Sequence, residues 1–177
     1  MPDATVSVTK GKAEFILAAI KRLEGQAVYV GFPSSADSRL GMDPGKNARN
    51  AGPQGKPTVT NAQLAWIHEH GTEDGHIPAR PFMRPAVKAA QPKITARLKQ
   101  AAAAALDGKG DLVHKYFMAT GLETQAALRK KIVDGPFLPL AEETLRRRRA
   151  AGFRGTKPLI VTGQLRQACS FVIRSKR

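Results

Sequence analysis

Residues 26–32 read Gln26-Ala27-Val28-Tyr29-Val30-Gly31-Phe32, and the fold turns on this stretch. It is rich in β-branched and aromatic side chains and is closed by Gly31 and Pro33, which predicts a strand at the centre of a sheet. A second short apolar run, Cys169-Ser170-Phe171-Val172-Ile173-Arg174, predicts a closing strand over residues 168–174. Each run needs a partner ladder for its backbone N–H and C=O groups, so residues 28–32 and 170–173 are expected in one sheet.

Helical periodicity fills most of the chain between and before these runs. Residues 12–23 place Phe15, Ile16, Ala19, Ile20 and Leu23 on one face, and Gly25 stops that helix; residues 4–8 alternate weakly, as a short strand would. Asn61 is read as the cap of a short helix carrying Leu64, Ala65, Ile67 and His68 and ended by Gly71. Residues 77–85, IPARPFMRP, hold three prolines and read as an extended connector. From Arg84 the spacing of Val87, Ala90 or Gln91, Ile94, Leu98, Ala101 and Ala105 predicts a long amphipathic helix, bent near Pro92 and ended by Gly108. The alanine run over residues 101–105 suits close packing. A second long helix is expected from an Asp111 cap to Gly135-Pro136, with Thr120-Gly121-Leu122-Glu123 resembling a capping box that marks a break. Shorter helices are expected over residues 140–149 and 162–167. The predicted class is α+β: a small, mostly antiparallel sheet packed against two long helices, with a long basic loop.

That loop covers residues 33–60, which contain Gly41, Pro44, Gly45, Gly52, Pro53, Gly55 and Pro57 and almost no apolar side chain. Ordering it costs roughly 1–2 kcal/mol per residue in backbone entropy, with little burial to offset it. It is therefore expected to be flexible in the free subunit. A length of 177 residues suits a single domain over residues 1–177 around this loop. No apolar run approaches a membrane span, and the start lacks the apolar stretch of a secretory leader, so the expected site of synthesis is the cytoplasm.

Lys and Arg total 29 against 14 Asp and Glu, a formal charge of +15, which points to a polyanion or an acidic protein surface as neighbour. From residue 144 to the end there is no acid, while Arg146, Arg147, Arg148, Arg149, Arg154, Lys157 and Arg166 all fall there. The run and its followers, Arg146 to Arg149 with Arg154 and Lys157, are candidates for contact with DNA or an acidic partner. The competing reading is a solvated helix end whose cations favour the C-terminal dipole. Aromatic residues are scarce and none interleave with this stretch, which disfavours a base-stacking module.

Enzyme signals are absent. His68, Glu69, His70 and His76 carry the chemistry of zinc ligands, but positions i and i+2 on a helix point about 200° apart, so His68 and His70 cannot share an ion there. No nucleophile elbow or phosphate-cradling glycine loop is present, and Cys169, the single cysteine, reads as a small buried hydrophobe. No catalytic residue, metal or cofactor is expected.

The ordered set of segments carries more than any one of them. Val28-Tyr29-Val30-Gly31-Phe32 is followed by Ala65-Trp66-Ile67-His68-Glu69-His70-Gly71-Thr72 and by Ile77-Pro78-Ala79-Arg80-Pro81-Phe82-Met83. Pro139-Leu140 comes next, then Lys157-Pro158-Leu159-Ile160-Val161-Thr162-Gly163-Gln164-Leu165-Arg166. In order and spacing this succession resembles the head-tail joining and tail completion proteins of tailed bacteriophages, departing from them at His70, at Val161 and in the richness of the arginine run. The resemblance implies a non-catalytic protein of the virion neck, made in the host bacterial cytoplasm, acting as a ring of copies of itself, six in that family, around the DNA channel. It implies as partners a tail tube or tail terminator protein, a head connector or stopper protein, and DNA in the channel, with no membrane. It marks Gly31, Phe32, His68, Glu69, Gly71, Thr72, Arg80, Pro81, Phe82, Thr162, Gly163, Leu165 and Arg166 as motif or interface residues. Phe82 and Leu165 are expected in the subunit core rather than at an interface. The alternative from the charge alone is a basic nucleic-acid-binding protein that contacts phosphates without reading sequence.

Overall fold

A computed structural model describes residues 10–33 and 59–176. The expected strand over residues 4–8 and nearly all of the loop at 33–60 lie outside the described residues. Along the chain come α1 (Lys10–Glu24), β1 (Gln26–Gly31), α2 (Asn61–His70), α3 (Met83–Leu106), α4 (Gly110–Asp134), α5 (Glu142–Ala150), α6 (Gln164–Ala168) and β2 (Ser170–Ser175). The fold is α+β, and β1 and β2 pair as a two-stranded antiparallel sheet, as their breaker-bounded apolar runs require. Among the described residues the sheet has two strands, so β1 is not flanked on both sides there as the central placement expected for residues 26–32 requires. Tyr29 of β1 is exposed, while Val30 and Phe32, the residue that follows the strand, pack against the core.

The chain divides into two compact units, and the division falls within α3, at Gln91 and Pro92, within α4, at Glu123 and Thr124, and within both strands. The first unit holds α1, the second half of α3 and the first half of α4. Its packing surface is small: Ala101, Ala104 and Ala105, at helical spacing on α3, are buried with Ala19 of α1 and Phe117 of α4. Arg97 Nε and Nη2 donate to Glu123 Oε1 at 3.0 and 2.8 Å. The predicted α1 helix is present, yet of its apolar face only Ala19 is buried, and Phe15, Ile16, Leu17 and Ile20 are exposed.

The second unit holds the larger core. Ala65 of α2, Phe82 and Ala86 at the start of α3, Leu128 and Ile132 of α4, and Leu159, Leu165 and Cys169 form one buried cluster, with Phe32 packed against it. The Phe32 and Phe82 rings meet edge to face at 6.0 Å, the arrangement their quadrupoles favour. Phe82 and Leu165 are thus core residues, as expected.

Several boundaries differ from the sequence reading. The helix α3 starts at Met83, inside residues 77–85 that read as an extended connector, because a proline such as Pro85 is tolerated in a first helical turn. The cap of α2 is Thr60, whose side chain accepts from the Gln63 N–H while the Gln63 side chain accepts from the Thr60 N–H; Asn61 is the first helical residue and is fully buried. Asp111 lies in the first turn of α4 instead of capping it. Finally, α4 runs unbroken through Thr120–Glu123, because Thr120 Oγ1 donates back to the Tyr116 carbonyl at 2.8 Å and Glu123 turns to Arg97. A hydroxyl satisfied on the preceding turn does not start a new helix.

Candidate functional site

The motif residues fall in the second unit, and the side chains of Glu69, Thr72, Arg80 and Thr162 among them bond to backbone. Glu69, near the end of α2, is buried, and its carboxylate accepts the N–H groups of Phe82 at 2.7 Å, Met83 at 2.8 Å and Arg84 at 3.0 Å. Met83 and Arg84 open α3 and Phe82 immediately precedes it, at the helix end where N–H groups lack intrahelical acceptors and the dipole favours an anion. Arg80 is also buried; its Nε donates to the Leu138 carbonyl and its Nη2 to the Pro139 carbonyl, each at 2.9 Å. The planar guanidinium thus fixes the Pro139-Leu140 motif against the IPARPF motif. Burial pulls the Arg80 pKa below its ordinary value.

Gly71 joins these two anchors. It ends α2 at φ 79° and ψ −173°, donating to the Ile67 carbonyl, while Thr72 donates to the Ile77 carbonyl at 3.0 Å and receives the Ile77 N–H on its Oγ1 at 2.9 Å. The Arg80 N–H then reaches the His68 carbonyl at 2.7 Å. Pro81 is exposed beside them. On the C-terminal side, Gly163 caps α6 in the left-handed conformation and Thr162 Oγ1 accepts from the Gln164 N–H. Gly31 closes β1, and Arg166 is exposed on α6.

Leu159 is buried at φ +60°, and the Ile160 N–H reaches back to the Pro158 carbonyl at 2.7 Å. This is the strained three-residue turn, rare for a branched side chain. Arg148 braces it: one terminal nitrogen donates to the carbonyls of Lys157 at 2.9 Å, Ile160 at 3.1 Å and Gly155 at 3.3 Å. The arginine run is therefore not uniform. Arg146 and Arg147 pair with Glu143 and Arg149 pairs with Glu142 on the same helix, Arg148 turns to carbonyls, and Arg154 is exposed.

The histidines serve local geometry. His70 Nδ1 lies 3.1 Å from the Trp66 carbonyl, its ring stacks on Trp66 at 3.8 Å, and Arg84 reaches its Nε2 at 3.3 Å. The His76 N–H donates to Asp74. Among the described residues, no three His, Cys, Asp or Glu side chains are placed to hold a metal ion.

Cys169 is fully buried, and burial pushes its thiol from 9.0 up to about 11, with the Arg129 charge pulling the other way. A raised folded-state pKa favours the neutral thiol, so this contribution is intact below pH 9 and is lost as pH rises towards 11. The expected loss is about 2–3 kcal/mol across that window. Urea titrations should show it in the wild type and not in Cys169→Ala. At neutral pH the thiol should ignore an aromatic disulfide reagent until the protein is unfolded.

Sequence reasoning did not find Gln125 and Arg129. Gln125 Nε2 at 2.7 Å and Arg129 Nη2 at 2.8 Å share the Cys169 carbonyl, a contact across some forty residues that no local pattern encodes. Compared with protein-family models, curated proteins and solved structures, the chain gives no match.

Proposed function

We propose that this chain is a structural protein of the tailed-bacteriophage neck, completing the tail and joining it to the head connector as a ring around the DNA channel. The observation that carries the proposal is the ordered series of motifs, whose members Glu69, Arg80, Phe82, Leu159 and Leu165 are buried together in one unit and spend their polar groups on backbone. Such residues build a rigid scaffold, which a ring subunit needs and an active site does not supply. Partner-covered surfaces are also in keeping with the exposed apolar side chains of α1 and with Trp66, 66% exposed, in the second unit.

The test is a phage in which this gene is disrupted. Lysates should contain filled heads and finished tails that fail to join, and supplying the wild-type chain should restore joined particles. Normal yields of infectious particles without the chain would end the reading. A second reading, a basic protein that grips nucleic-acid phosphates, is favoured by the charge of +15, but it leaves the motif order without a cause.

A further inference from the structure

The second half of α4 and the helix α6 line a cleft of about 500 Å³ with Arg129, Lys130, Val133, Asp134, Arg166 and Gln167. Lys157 stands beside it, its Nζ donating to the Val133 carbonyl at 3.3 Å. Four cations are thus gathered against a single carboxylate, Asp134, which is tied to Lys130. Lys157 acts on the same carboxylate at longer range, so one negative charge is shared by two cations while Arg129 and Arg166 pair with no carboxylate among the described residues. Arg129 is held on the Cys169 carbonyl, a neutral group, and its Nε is buried without a hydrogen-bond partner among the described residues. Lys157 likewise spends its ammonium on a carbonyl, and Arg166 is exposed and makes no ion pair among the described residues. The arginine run has the opposite character, since three of its four members meet Glu142 or Glu143.

We propose that this cleft, rather than the arginine run, is the chain's phosphate-binding site, and that its occupant is a phosphodiester of duplex DNA. A guanidinium fixed by carbonyls keeps its charge and remaining donors for an oxyanion and loses little freedom on binding. Duplex DNA presents one charge about every 1.7 Å of its axis, so it rewards cations spread from the cleft floor to its rim. The chain's excess positive charge draws the same polyanion from a distance. The site does not depend on the neck assignment.

The experiment measures binding of the full chain to a short labelled duplex over a range of salt. Lys157→Gln with Arg166→Gln should flatten the slope of log affinity against log salt by about 1.8, two contacts of about 0.9 each. Lys88→Gln with Lys93→Gln removes the same charge from exposed positions on α3 and should leave the slope unchanged. If the first double variant melts early, Arg166→Gln alone, at an exposed position, should still remove about 0.9. Equal flattening by both double variants would reduce the effect to diffuse charge and overturn the site. Polyglutamate displacing the duplex at equal charge would overturn it in favour of an acidic protein partner, and failure of the wild type to bind duplex at low salt would overturn it outright.

Discussion

Gly71→Ala is expected to destabilise the protein by about 4 kcal/mol, lowering the urea midpoint by roughly 1–2 M at unchanged slope. Two costs combine. At φ 79° and ψ −173° the residue occupies a region essentially closed to side chains. An added Cβ would also lie 2.9 Å from the Ile77 carbonyl oxygen and 3.0 Å from the Ala79 nitrogen. Both are backbone atoms, locked by the Thr72 to Ile77 and Arg80 to His68 hydrogen bonds, so neither can yield without opening the turn. Gly75 supplies the control: its φ is +69° but nothing lies within 4 Å of an added Cβ, so Gly75→Ala should cost about 1 kcal/mol. Similar losses for the two variants would show that the close approach at Gly71 has no energetic weight.

Glu69→Ala should cost about 3–4 kcal/mol, because three N–H groups lose one acceptor and that of Phe82 is closed off from water. Glu69→Gln keeps the shape but turns an amide NH2 towards donors, so about 2–3 kcal/mol is expected. Thermal unfolding gives the readout. Because the partners are N–H groups rather than cations, both losses should persist in high salt, whereas the exposed pairs of α5 should be screened there. A Glu69→Gln variant as stable as the wild type would mean that the carboxylate charge contributes nothing at the start of α3.

Local patterns made much of the fold legible. The apolar spacing of residues 12–23 located α1, the breakers Gly25, Gly71 and Gly135 located ends, and two short apolar runs located the strands that pair. The Thr60-x-x-Gln63 cap was equally legible, since a capping box has a fixed spacing, and Asn61 drew attention only as the better single-residue cap. Glu69 and Arg80 stood out in the motifs, but their roles were not legible, because their partners lie 13 and 58 residues away and are backbone atoms without sequence identity. The cleft escaped for a related reason. Arg166 and Lys157 stand in or beside the motifs, but nothing in the sequence places them next to Arg129 and Lys130 of another helix, whereas three of the four adjacent arginines are answered by Glu142 and Glu143 within their own helix.

Anchoring on backbone also governs how such a chain can drift. Residue 83 offers its N–H to Glu69 with any side chain but proline's, and residues 138 and 139 offer their carbonyls to Arg80 whatever their side chains. Substitution at those backbone partners, proline at residue 83 aside, leaves the bonds intact, whereas substitution of Glu69, Arg80 or Gly71 breaks several at once. Divergence in a lineage built this way would spare a few single letters at fixed intervals and erase the text between them, so that relatives would be found by the placement of those letters more readily than by overall identity.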